Sequence, residues 1–156
     1  MTMLKEIEEN VFLSKKDNYD FLFISESFSK CFELKVMYKN RFILIGFTIS
    51  IEAIMPQFEI LDNVLLLGIN NHFIMINLDQ KKYEYYEIFP VFYQFIVKQN
   101  IIIVIGELSI LLLVDFKLKW EKTFNEIIDF YSLDDHILTL RDYDGNLLKI
   151  DISSIE

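Results

Sequence analysis

The sequence overlays itself at a shift of 36 residues, and it does so twice. The stretch Asp62–Asp79 slides onto Lys98–Asp115 and then onto Asp134–Asp151 without a gap. Apolar columns follow the shift: Leu65, Ile101 and Ile137; Leu66, Ile102 and Leu138; Ile76, Leu112 and Leu148; Leu78, Val114 and Ile150. An acid column, Asp79, Asp115 and Asp151, closes each copy. A fixed period of this size marks a stacked array, in which no unit buries its hydrophobic face alone and each relies on its neighbours.

The units are made of strands. Alanine, the best helix former, occurs once, at Ala53, against 24 isoleucines, 15 phenylalanines and 8 tyrosines, a composition suited to pleated, half-buried surfaces. Phe58-Glu-Ile-Leu, Gln94-Phe-Ile-Val and Phe130-Tyr-Ser-Leu precede the three copies in common register. Tyr83-Glu-Tyr-Tyr-Glu-Ile-Phe and Trp120-Glu-Lys-Thr-Phe follow the first two. With turn signals at Asp62-Asn63, Asn70-Asn71, Gly106-Glu107, Asp134-Asp135 and Asp144-Gly145, each unit reads as about four short antiparallel strands joined by hairpins. Val64–Ile69, Ile101–Ile105 and Ile110–Val114 are apolar on successive residues, so both faces of these sheets are covered.

Stacked four-stranded units of this size suggest propeller blades. Asp142-Tyr-Asp-Gly-Asn-Leu-Leu-Lys-Ile-Asp151 resembles the D-x-x-G-x-L-x-x-I-D strand pair of bladed propeller repeats, and Leu118-Lys-Trp-Glu121 resembles the outer-strand ending of quinoprotein-type blades. The resemblance covers roughly residues 55 to 155; the G-H and W-D dipeptides of WD repeats are absent. It implies an all-β single domain over 1–156, with a degenerate first unit at 17–54 and further units at 55–90, 91–126 and 127–156. In the first unit, Asp17–Ser25 and Lys30–Val36 read as a hairpin and Arg41–Phe47 as another strand. Four units sit at the lower limit of ring closure: the array closes as a minimal ring, or stays open and covers its ends with a second copy in a homodimer.

Charge and composition restrict partners. The net charge of −9 repels a phosphate backbone, which argues against nucleic acid. Thr123–Glu156 holds eight of the acids and only two bases. The stretch Ile101–Val114, interrupted by Gly106, Glu107 and Ser109, is too short to cross a bilayer as a helix, so no membrane association is expected. A lone Cys31 and an acidic N-terminus without a secretory pattern point to a cytoplasmic protein.

No catalytic constellation is legible. His72 and His136 occupy different columns of the repeat and do not assemble a zinc site. Asp142-Tyr-Asp-Gly lacks the third acid and the closing glutamate of a calcium loop and reads as a hairpin turn. Cys31 lies in a strand pattern, and no nucleophile elbow, phosphate loop or dinucleotide fingerprint occurs. Asp134 and Asp135 are adjacent acids in a turn, a place where charge is usually just solvated. Neither cofactor nor metal is expected.

Binding surface is the better candidate. Tyr83, Tyr85 and Tyr86 beside Glu84 and Glu87 make an aromatic, acidic strand, and Asp134, Asp135, Asp142 and Asp144 fall on the turns of one unit. Tyrosine is favoured in interface hot spots. In profile the chain is similar to small acidic bacterial immunity proteins. This similarity implies a non-enzymatic antitoxin in which the turn-bearing rim occludes a basic, nuclease-type toxin. The alternative is a propeller-like scaffold or adaptor for protein complexes. A lectin-like binder with one pocket per repeat is disfavoured, because the loop columns Asn71, Glu107, Tyr143 and His72, Leu108, Asp144 do not repeat.

Overall fold

The computed structural model describes residues 2–155. Four sheets, antiparallel apart from one parallel pairing in the first, follow one another along the chain. The first contains β1 (Thr2–Ile7), β2 (Phe21–Phe23), β3 (Lys30–Tyr38) and β4 (Arg41–Ile49), in the spatial order β1-β3-β4-β2, with α1 (Glu9–Ser14) between β1 and β2. The second is β5 (Gln57–Leu61), β6 (Val64–Ile69), β7 (His72–Asn77) and β8 (Lys82–Glu87), in chain order. The third is β9 (Phe92–Lys98), β10 (Ile101–Gly106), β11 (Ser109–Val114) and β12 (Lys117–Thr123). The fourth has three strands, β13 (Ile128–Asp134), β14 (Ile137–Asp142) and β15 (Leu147–Asp151). The chain is thus all-β and built of blade-like repeats.

Tight turns with left-handed residues set the strand ends. Asp62, Gln99 and Asp135 have φ of 52°, 55° and 50°, and Asp, like Asn, reaches this region at low cost because its short side chain bonds locally. Backbone hydrogen bonds repeat with the turns. The amides of Leu78, Asp115 and Ile152 donate to the carbonyls of Asn63, Asn100 and His136 at 2.8, 3.0 and 2.8 Å. The amides of Phe92 and Ile128, at the start of the third and fourth sheets, donate to the carbonyls of Asn70 and Glu107, both at 2.8 Å. The third and fourth blades are therefore each anchored to a turn of the one before.

These bonds correct the register read from the sequence. Asn63 to Asn100 is a step of 37 residues and Asn100 to His136 one of 36. The gapless shift is therefore one residue out between the second and third blades. Val64, Ile101 and Ile137 each follow the first turn of their sheet, and Leu65, Ile102 and Leu138 come next. Leu65 packs toward the first blade, Ile102 toward the second and Leu138 toward the third. A one-residue slip moves a side chain to the opposite face, so pairing Leu65 with Ile101 joined residues facing different neighbours. The acid column dissolves too. Asp115 is itself an amide donor of the repeated bond, whereas Asp79 follows its donor Leu78 and Asp151 precedes its donor Ile152.

The first blade holds further departures. Phe21–Phe23 does not form a hairpin with Lys30–Val36 but pairs in parallel with β4, Phe21 opposite Ile45 and Phe23 opposite Phe47. Its inner position is filled by β1, Thr2 opposite Val36 and Ile7 opposite Cys31. An alternating, mostly exposed strand at the start of the chain carried no signal distinguishing it from a solvated segment.

The core lies between the sheets rather than within any of them. One apolar cluster joins the first and second blades through Phe32, Leu34, Ile45, Phe47, Leu65 and Ile76. A second joins the second and third through Leu66, Phe73, Phe92, Phe95, Val104 and Leu113. A third joins the third and fourth through Ile103, Ile105, Leu112, Leu138, Leu140 and Ile152. Among the described residues no cluster joins the fourth blade to the first. The far face of the fourth, with Arg141, Leu147, Lys149 and Asp151, is exposed. The far face of the first is covered in part by Phe12 of α1, fully buried and 5.4 Å from the Tyr19 ring. The stack is an open arc with a helical cap at one end and a polar face at the other.

Gly68 in β6 fixes the closeness of the second interface, because a Cβ there would overlap the fully buried Phe92 ring. Gly68→Ala should lower unfolding free energy by about 1–3 kcal/mol through overpacking. Adding Phe92→Leu should recover part of that loss, as read by urea denaturation. An unchanged midpoint in Gly68→Ala would contradict this packing.

Candidate functional site

A concavity lies between the outer strands of the first two blades. It is a cavity of about 280 Å³ walled by Leu22, Phe23, Ile24 and Ser25 on one side and by His72, Ile74, Tyr83 and Tyr85 on the other, with Ile69 and Asn70 between. Strand pleating explains the lining. Tyr83 and Tyr85 stand opposite Ile76 and Ile74 of β7 and share the face turned to the first blade, while Tyr86 stands opposite Phe73 on the other face. The Tyr83 ring meets Phe23 edge-on at 5.1 Å and 88°, and Phe21 at 6.4 Å and 84°. Tyr85 meets the His72 ring at 5.5 Å and 62°.

Polar bonds hold the two walls in place. Asn70, at φ 52°, donates from Nδ2 to Ser25 Oγ and to the Thr48 carbonyl, both at 3.0 Å, and accepts from the Ser50 amide at 2.8 Å. Thr48, fully buried, accepts from the Ser25 amide at 2.8 Å. At the other end of the junction Lys81 pairs with Asp20 at 3.0 Å, Lys39 with Asp79 at 2.6 Å, and Arg41 donates to the Leu78 carbonyl at 3.1 Å. The groove therefore needs little ordering when something enters it, which lowers the entropic cost of binding.

The sequence-predicted residues divide. Tyr83 and Tyr85, 51% and 54% exposed, are brought together in the groove. Tyr86 packs against the core between the second and third blades, where burial, then the Glu84 charge, raises its phenol pKa. The four acids do not form one patch. Asp134 and Asp135 lie at one end of β14, and Asp142 and Asp144 at the other, about 20 Å away at 3.4 Å per residue. Asp142 is occupied by its own turn, accepting from the Asn146 side chain at 2.9 Å and the Asn146 amide at 2.8 Å. The Asn146 side chain, aided by backbone amides of the turn, holds its carboxyl below the usual range.

Phe23, Ser25, Asn70 and His72 were not marked for this site by the sequence. Asn70 reads as a turn residue and His72 as a histidine lacking metal partners. The signal lay in the alternate aromatics Phe21 and Phe23, but the parallel pairing of β2 with β4 leaves no local pattern.

No family model and no curated protein matches the chain. Solved structures do. BamB from Moraxella catarrhalis matches with a TM-score of 0.53 at 12% identity, covering 86% of this chain and 46% of that one. The computationally designed Ika4 protein matches at 0.49 and 10% identity, covering 84% of this chain and 89% of that one. The AfRom2 CNH domain matches at 0.44 and 8%, covering 85% and 47%. This chain spans about half the length of the BamB and CNH chains. At such identity the likeness to BamB concerns the fold, and it fits a propeller-like arrangement of blades.

Burial lowers the His72 pKa from its ordinary 6.5, with Glu87 pulling the other way. Above the unfolded-state value both states are neutral and His72 contributes nothing. As pH falls through that value the unfolded chain takes the proton more readily, so stability is lost. Unfolding free energy should decline between pH 7 and 5, and His72→Gln should remove part of that decline. A decline of the same size in the variant would place the titration elsewhere.

Proposed function

We propose that this chain is a non-catalytic protein-binding module, a propeller-like scaffold that holds a partner through the groove between its first two blades. The observation that carries the reading is the pair of exposed tyrosines, Tyr83 and Tyr85, which line a cavity of mixed apolar and polar walls with Phe23, Ile74, Ser25 and Asn70, walls that are already fixed by cross-blade bonds. Rigid amphipathic aromatics beside a pocket that can take one large side chain are the ingredients of an interface hot spot. The groove also departs from the repeat, since its first wall is the parallel strand β2 rather than a repeated hairpin.

A photo-crosslinking residue placed at Tyr85 should capture a defined protein from lysate of the encoding organism. Tyr83→Ser with Tyr85→Ser should weaken binding of that partner more than about tenfold, as loss of hot-spot aromatics does, while strand content by circular dichroism stays unchanged. Undiminished binding by the folded double variant would remove the groove from the function.

The narrower reading, an immunity protein that occludes a basic toxin in the cytoplasm, draws on the net charge of −9. With the acids at two separate turns, its test is two separate charge reversals. Asp134→Lys with Asp135→Lys, or Asp142→Lys with Asp144→Lys, should weaken binding and flatten its salt dependence at whichever turn meets the partner. A partner indifferent to both reversals and to salt supports the scaffold instead.

A further inference from the structure

We infer that the groove between the first two blades takes the guanidinium of an arginine side chain on the bound partner, which rests on the protein-binding reading above and names the chemistry the groove selects. Beyond Tyr83 and Tyr85, the same face of β8 carries Glu87, because alternate residues of a strand share a face. Two aromatic rings and a carboxylate thus follow one another in a single row, spaced about 7 Å apart along the strand.

Each tyrosine is steadied by a second ring, Tyr83 by Phe23 and Tyr85 by His72, and the face of such a ring attracts a cation through its quadrupole. Glu87 stands opposite His72 in the β7–β8 pairing, is exposed, and has no ion pair among the described residues. Glu26, also exposed, follows the wall residue Ser25 in the chain. No lysine or arginine lines the cavity. Lys81 is paired with Asp20, and Lys82 lies on the other face of β8, in a separate cleft toward Asp115 and Lys117 of the third blade. Burial disfavours the charged form of His72, so near neutral pH the wall adds no positive charge of its own. The groove is therefore aromatic and negative, with its own bases held elsewhere.

These features select among cations. A guanidinium is planar, stacks on an aromatic face and is more weakly hydrated than an ammonium, so it gives up less on leaving water. Its fork of N–H groups meets a carboxylate through two parallel hydrogen bonds, and Glu87 is one pleat beyond Tyr85. The methylene stem of the same side chain lies against apolar surface while its head stays polar, which Leu22 and Ile74 of the cavity walls supply. A lysine ammonium would use the charge of Glu87 but neither the flat stacking nor the paired bonds.

The test uses the whole chain and the blocked tripeptide acetyl-Gly-Arg-Gly-amide, with its citrulline counterpart, similar in shape but uncharged, and its lysine counterpart. Aromatic carbon–proton NMR follows the Tyr83 and Tyr85 rings. The arginine peptide should shift both rings saturably, with the citrulline peptide at least about tenfold weaker and the lysine peptide at least about threefold weaker. Glu87→Gln should weaken the arginine peptide about tenfold. Tyr85→Leu should weaken it about fivefold, whereas Tyr85→Phe, which keeps the ring, should hold it within about twofold. Rings unmoved by the arginine peptide, equal binding of the citrulline or lysine peptide, or arginine binding indifferent to both Glu87→Gln and Tyr85→Leu would overturn the proposal. A captured partner that needs Tyr83 and Tyr85 yet binds Glu87→Gln undiminished would keep the groove and reject the arginine. Undiminished binding of that partner by the folded double serine variant would remove both.

Discussion

Everything in this molecule depends on cores shared between sheets. A β-sheet with two apolar faces cannot stand alone in water, and β6, β10 and β11 are buried along almost their whole length on both faces. The only way to satisfy them is to stack, so each of the three apolar clusters belongs to two blades at once. Stability is then close to a sum of neighbour interfaces, and the ends of the stack become a separate problem. The first blade meets it with Phe12 and Tyr19 folded over its far face. The fourth meets it by reverting to alternation: Leu138 and Leu140 point inward while Arg141, Lys149 and Asp151 point out.

The same two-sided burial decided what the sequence could and could not reveal. Turns such as Asp62-Asn63 and Asp134-Asp135, and apolar runs such as Ile110–Val114, announced strands, blades and period. They could not announce register, because a run without alternation reads equally well when slid by one. Only the bonds from Leu78, Asp115 and Ile152 to the first turns distinguish Ile101 from Ile102 as the partner of Leu65. Even where alternation returns, as in β8, the reading took Tyr83, Tyr85 and Tyr86 together, although a period of two sets Tyr86 on the opposite face. The acids of the last blade were visible as a cluster in sequence, but β14 carries them apart.

The groove arises where the repeat breaks. In the second and third blades the outer strand follows its hairpin directly, while in the first it comes before it, as β2, and runs parallel to β4. That rearrangement brings Phe23 and Ser25 over the second blade, where Asn70 bonds across to Ser25 and the Thr48 carbonyl. Regular repeats supply rigidity, and the irregular junction supplies a concave surface with its own chemistry. Loss of symmetry at one interface is what gives a repeat array a single distinguished site.

Among the described residues the arc is open, with three buried interfaces and none between the fourth blade and the first. Native-state hydrogen exchange resolved by strand tests it most directly, since protection follows local burial and cooperativity. An open arc predicts the slowest exchange in β6, β7, β10 and β11, buried between neighbours on both sides, and exchange at least about tenfold faster in β14 and β15. Equal protection of the first and fourth blades with the middle two would mean that a fourth interface exists, and would contradict the account.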